Sequence, residues 1–170
     1  MNTIKLRNYT CCFTGHRNIA PENIKQVEEL TAKEIYELVT SYGVYIFCVG
    51  GAIGYDTIVA KVLLDIKETV FPNIKVILIY PFDGFMEGWK PEQQEEYRML
   101  LPRYDKIICA CDKPCRGAYL QRDRLLVDSA TFCIAYCTQN HGGTAYTIRY
   151  AKQHGLTIRN IAEKICKRQN

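Results

Sequence analysis

Short apolar runs alternate with longer amphipathic stretches along this chain. Runs at 10–14, 44–49, 74–80, 106–111 and 131–136 are rich in β-branched, aromatic or Cys residues, as strands are. The 74–80 run is largely apolar, which suits a strand buried on both faces. Between the runs the spacing becomes helical. Ile24, Val27, Leu30, Ile35, Leu38 and Val39 form one stripe, with Pro21 suited to the first turn and Gly43 to the terminator. Ile58, Val59, Val62, Leu63 and Ile66 form a second stripe over 55–68. Further helices are expected over 91–101, over 120–130, and from Gly143 to near Gly155, with a closing strand over 157–161. This alternation predicts an α/β fold: a Rossmann-like, doubly wound, mostly parallel sheet of about five to seven strands with helices on both faces. Residues 1–170 are read as one domain.

Three glycine-bearing turns follow strand-like runs. They are Thr14-Gly15-His16-Arg17, Gly50-Gly51-Ala52-Ile53-Gly54-Tyr55-Asp56 and Gly142-Gly143-Thr144. In a parallel sheet the C-terminal strand ends share one edge, so the three turns are expected to meet in one crevice. Glycine admits close approach of a ligand to the backbone, and a helix N-terminus behind it offers free N–H groups to an anion. The crevice is therefore read as the site of a phosphate-bearing nucleotide derivative. Gly50–Asp56 matches neither G-x-G-x-x-G nor a P-loop, which disfavours ordinary dinucleotide oxidoreductases and P-loop hydrolases. The bland alternative is a tight strand-to-helix turn with Asp56 as its N-cap.

Other side chains extend this picture. Arg17 suits phosphate, and His16 suits a phosphate or a sugar. Arg122 and Arg124, near the start of a helix, would face either the crevice or the solvent, and Arg122, in the first turn, is the better candidate for the crevice. The 81–90 loop holds Phe82, Phe85 and Trp89, which would either stack on a base or plug the loop onto the domain.

Composition narrows the class. Of 170 residues, 48% are hydrophobic and 24% charged, as in ordinary soluble domains. The N-terminal residues lack a signal-peptide core and no run reaches the roughly 20 apolar residues of a membrane span, so a cytoplasmic location is expected. Nine cysteines cannot all pair within one chain, and reduced, mostly buried thiols are expected. Cys109, Cys111 and Cys115 are the tightest group, but no C-x-x-C pair occurs, so no metal site is assigned. The net charge of +4 is mild, and its one basic cluster, Arg159, Lys164, Lys167 and Arg168, reads as a solvated end. Nucleic acid is therefore a disfavoured partner. A protein partner and a homo-oligomer stay open.

Taken together, the turns resemble the YpsA-like family of the SLOG superfamily, which also holds the LOG-type phosphoribohydrolases and the DprA/Smf DNA-processing proteins. The matching residues are Thr14 to Arg17, Gly50-Gly51-Ala52 with Gly54 and Asp56, Pro81-Phe82, Trp89, Arg122, Val127-Asp128-Ser129 and Gly142-Gly143-Thr144. The resemblance implies a domain that binds nucleotides or ADP-ribose-like molecules at Gly15, His16, Arg17, Gly50, Gly51, Gly54, Asp56, Pro81, Trp89, Arg122, Gly142, Gly143 and Thr144. LOG-type enzymes carry Gly-Gly-x-Gly-Thr-x-x-Glu, whose Glu sits by the scissile N-glycosidic bond. Here Thr144 follows Gly143 directly, and Thr147 occupies the position of that Glu. Binding without clear catalysis is therefore the leading expectation. The alternatives are N-glycosidic hydrolysis, with Asp56, Glu92 or Asp128 as substitute carboxylate, and a DprA-like nucleic-acid accessory role.

Overall fold

The computed structural model describes residues 6–166. Six strands form one sheet: β1 (Thr10–Gly15), β2 (Ile46–Val49), β3 (Lys75–Tyr80), β4 (Lys106–Cys109), β5 (Phe132–Tyr136) and β6 (Thr157–Asn160). Their order is β4-β3-β2-β1-β5-β6, and every neighbouring pair is parallel. The chain steps outward from β1 to β4, then returns to the other side of β1 with β5. The order thus reverses between β1 and β5, where the loops leaving their C-terminal ends part and leave a crevice.

The helices are α1 (Ile24–Tyr42), α2 (Tyr55–Thr69), α3 (Pro91–Leu100), α4 (Ala118–Asp128), α5 (Gly142–Gln153) and α6 (Ala162–Cys166). Pro21 opens a 3-10 turn that runs into α1, and Gly43 ends α1 in the left-handed conformation at φ 67°. A helix begins at Ala118, two residues earlier than the sequence pattern suggests, because Gly117 supplies the turn into it. The stripe on α1 is displaced at its start, where Ile24 is exposed.

Strand alternation sorts side chains into two cores. Cys11, Phe13, Phe47, Val49, Val76, Leu78 and Ile134 meet Val27, Ile35, Leu38, Val59 and Leu63 of α1 and α2. On the other face Cys12, Cys48, Ile79 and Cys133 meet Leu126, Val127 and Ala151 of α4 and α5. Cys48, Cys12 and Cys133 sit at one register across three adjacent strands. These small side chains leave α4 and α5 room to lie close to the sheet. Coverage of this face is uneven. Beside α4, Ile46, Ile77, Ile79 and Ile108 border an open apolar hollow, so β3 is only half-buried there at Ile77.

The basic end of the chain is not simply solvated. Arg159 and Lys164 both pair with Glu34 of α1, Arg159 at 2.8 Å, and Arg159 also lies 3.0 Å from Glu37 and over the Tyr42 ring. Lys167 and Arg168 lie outside the described residues. Among the described residues no helix is long and apolar enough to cross a membrane.

Candidate functional site

A cleft of about 270 Å³ opens at the crevice between β1 and β5. Phe13, Thr14, Gly15, His16 and Arg17 line it from β1 and its loop, and Ala52 and Asp56 from the turn into α2. Tyr119, Leu120, Arg122, Asp123 and Leu126 come from α4, Gly143 and Thr144 from the start of α5. The volume lies near the lower end of small-molecule sites, roughly 300–1,000 Å³.

Most of the turn glycines serve protein packing. A Cβ at Gly15 would lie 2.3 Å from the buried Tyr55 ring, and one at Gly50 would lie 2.3 Å from Arg122 and 2.7 Å from Asp56. A Cβ at Gly51 would lie 2.7 Å from Leu78, so this residue faces the core instead of a ligand. Gly54 combines φ 83° with a Cβ position 2.2 Å from the Arg17 carbonyl. Gly142 needs its positive φ to start α5. Gly143 differs: it lines the cleft, its φ is ordinary, and nothing lies within 4 Å of its added Cβ.

Arg122 is buried, 5% exposed. Its Nη1 donates to the Gly50 carbonyl and lies 3.7 Å from Asp56, and its Nε donates to Asp123 at 2.7 Å. Two of its three nitrogens therefore hold protein acceptors, and the side chain clasps the β2–α2 turn. Asp56 also accepts the Ala52 N–H at 3.0 Å, a bond back from the helix that ties the preceding loop to it. Burial raises the Asp56 carboxyl above its usual value, and Arg122 and the Ala52 N–H offset this only in part. The 3.7 Å separation from Arg122 is consistent with burial winning.

Arg17 is exposed at the rim and stands over the Tyr119 ring at 5.1 Å, a cation–π contact. His16 Nε2 accepts the Thr138 N–H at 2.9 Å, which an imidazolium cannot do because it has no lone pair. Burial, then the His141 charge, lowers its pKa in accord with that geometry. His16 thereby pins the loop after β5 to the loop after β1.

The sequence-predicted residues Gly15, His16, Arg17, Asp56, Arg122, Gly143 and Thr144 come together in the cleft. Gly50, Gly51 and Gly54 lie in the turn behind it. Pro81 is buried, its carbonyl accepting the Cys111 N–H. Trp89 packs edge-on against Phe85 and Tyr97 at 5.2 and 5.7 Å, so the 81–90 aromatics form the plug. Neither Glu92 nor Asp128 lines the cleft. Tyr119 and Asp123 do, and the glycine-turn signal does not reach them. Asp123 Oδ2 lies 3.3 Å from Thr147 Oγ1, whose hydroxyl also lies 3.0 Å from the Gly143 carbonyl.

Comparison with known proteins gives a consistent picture. The model of the YspA SLOG family matches residues 11–164. A UPF0398 protein of Shouchella clausii is 30% identical over 105 residues, covering 60% of this chain and 56% of the relative. Another, from Halalkalibacterium halodurans, is 22% identical over 156 residues, 90% of this chain and 82% of the relative. The chain spans just over half the length of the first of these curated relatives. Among solved structures, DNA processing protein A of Helicobacter pylori, described for its single-stranded DNA binding mode, superposes with TM-score 0.64 at 15% identity. That match covers 96% of this chain and 74% of the other. DprA of Streptococcus pneumoniae gives TM-score 0.63 at 17% identity, over 90% of this chain and 50% of the other. Both likenesses are of fold.

Proposed function

We infer that this chain, which belongs to the YspA SLOG family, binds a phosphate-bearing nucleotide derivative in the β1–β5 cleft. Gly143 carries the reading. Among the turn glycines it alone has neither a backbone nor a packing need to lack a side chain, and it opens α5 onto the cleft. A phosphate fits there, against the N–H groups of the first turn. Arg17 is the nearby cation that stays exposed, and Tyr119 beside it offers a ring face to a base or sugar. The cleft volume favours a mononucleotide, or one half of an ADP-ribose-like molecule, over an enclosed dinucleotide. Single-stranded DNA, the subject of the Helicobacter pylori structure, is less favoured: Arg159 and Lys164 of the basic cluster are spent on Glu34.

Thermal unfolding tests this with AMP, ADP-ribose and NAD. A ligand at about 100 times its dissociation constant adds about 2.7 kcal/mol. Gly143→Val is expected to abolish the shift while leaving the ligand-free melting temperature nearly unchanged. Arg17→Ala is expected to weaken binding by about 1.5–3 kcal/mol. No shift with any of the three, or an equal shift in both variants, overturns the reading.

Asp123 supports a second reading, N-glycosidic hydrolysis. Thr147 stands where LOG-type enzymes carry Glu, and its hydroxyl meets the Asp123 carboxylate. A carboxylate thus reaches that place from α4 instead of α5. There it would activate water or stabilise positive charge at an anomeric carbon. Free base released from a nucleotide by the wild type, and not by Asp123→Asn, supports hydrolysis. Binding without free base leaves the first reading alone.

A further inference from the structure

Two groups of the described cysteines contrast with each other. Cys12, Cys48 and Cys133 are buried between the sheet and α4–α5, where the neighbouring Cys133 thiol and then burial push the Cys12 thiol well up, and burial takes Cys48 to about 12. Such thiols are inert. Cys109, Cys111 and Cys115 lie instead at the end of β4 and in the loop to α4, with Cys109 and Cys115 exposed. Gln121 of α4 bridges two of them. Cys111 Sγ donates to its Oε1 at 3.1 Å, and its Nε2 donates to Cys115 Sγ at 3.8 Å. Desolvation, and after it the neighbouring Cys115 thiol, raises the Cys111 thiol above its usual value. Cys109 turns away, its Sγ donating to the Cys111 carbonyl at 3.1 Å. Among the described residues no three His, Cys, Asp or Glu side chains converge as metal ligands would.

We propose that Cys111 and Cys115 are a reversible dithiol–disulfide couple, oxidised by low-molecular-weight disulfides, that sets the position of the first turn of α4. The exposed Cys115 attacks one sulfur of the small disulfide as thiolate, forming a mixed disulfide and releasing one thiol. Cys111, deprotonated, then displaces the second thiol and closes the intrachain bond. Two protein thiols become one disulfide, and the small disulfide becomes two thiols. Both ends of the loop are anchored. The Cys111 N–H donates to the Pro81 carbonyl at 3.0 Å, and the Cys115 carbonyl accepts the Ala118 N–H at 3.1 Å. Closing the bond ties β4 to the start of α4 and releases Gln121 from between the sulfurs. Tyr119 stands one residue further on, lining the cleft. That last consequence rests on the binding reading; the couple does not.

Incubation of the full chain with glutathione disulfide, followed by peptide mapping, is the test. The expected product is a Cys111–Cys115 crosslink that dithiothreitol reverses, with Cys12, Cys48 and Cys133 unmodified. Cys111→Ser traps a glutathione adduct at Cys115, and Cys109→Ser leaves the crosslink intact. Hydrogen exchange over residues 117–123 is expected to slow on oxidation of the wild type and not of Cys111→Ser. Stable glutathione adducts without a crosslink, or a crosslink through Cys109, overturn the couple. A crosslink with unchanged exchange overturns its hold on α4. Loss of nucleotide binding in the reduced protein is a separate result and counts against the cleft alone.

Discussion

At Gly54 the backbone stands at φ 83° and the Arg17 carbonyl fills the place of a side chain; at Gly143 neither constraint exists. Gly54→Ala is therefore expected to destabilise by more than the roughly 1 kcal/mol of an incompatible φ alone, and Gly143→Ala to be close to neutral, as urea midpoints will show. Gly51→Val is expected to damage the fold through Leu78 before it touches any ligand. Arg122→Gln leaves the Asp56 carboxylate buried without its cation, at a cost of about 3–5 kcal/mol. These contrasts mark how far the site was legible. Glycine after a strand announces a crowded turn, so Gly15, Asp56, Gly143 and their neighbours were readable. Whether a ligand or a tyrosine does the crowding is a matter of tertiary packing. Tyr119 and Asp123 lie within a helix of ordinary pattern, and only the docking of α4 beside β1 brings them to the cleft. Trp89 has the same ring whether it faces a base or Tyr97, and no sequence spacing distinguishes the two.

Among the elements, α1 is held to the far edge of the sheet by charge. Glu34 is 2% exposed. Burial pushes its carboxyl up, but hydrogen bonds from Lys164 and Arg159 outweigh that and hold it below the usual value. A depressed carboxyl contributes stability above its unfolded pKa of about 4.3, lost as pH falls through the folded value. Glu34→Gln is expected to lower the melting temperature at neutral pH and to lose most of that deficit in acid. A deficit that persists unchanged in acid would assign the effect to packing. The strand and helix order was legible because short apolar runs alternate with longer stretches of helical spacing. The partner of the basic end was not, since Glu34 and Lys164 lie 130 positions apart.

For the molecule as a whole, the reversal of strand order between β1 and β5 puts His16 at the junction of its two halves. A His with a lowered folded pKa binds its proton more readily when unfolded. Stability therefore falls as pH drops through about 6.5 and below. His16→Gln is expected to flatten the melting-temperature profile between roughly pH 7 and 5; an unchanged slope would remove His16 as the source of that dependence. The parallel sheet was legible from its apolar runs. The uneven cover of its second face was not, because Ile46, Ile77 and Ile108 look like core residues whether or not a helix lies over them.

The two walls of the cleft are built differently. The β1 loop and the β2–α2 turn are joined through the backbone, with Tyr55 N–H donating to the His16 carbonyl at 3.1 Å. The α4 and α5 wall is tied by side chains: Asp123 to Thr147, Arg124 to Tyr146 and Asp128 to Tyr150. The wall tied by side chains is therefore expected to keep more conformational entropy to lose on binding than the wall joined through the backbone. Tyr146→Phe removes one tie without touching the cleft. Titration calorimetry with the nucleotide that stabilises the wild type is then expected to show weaker binding through a larger entropic penalty. Equal entropies in the two proteins would mean that both walls are set before any ligand arrives.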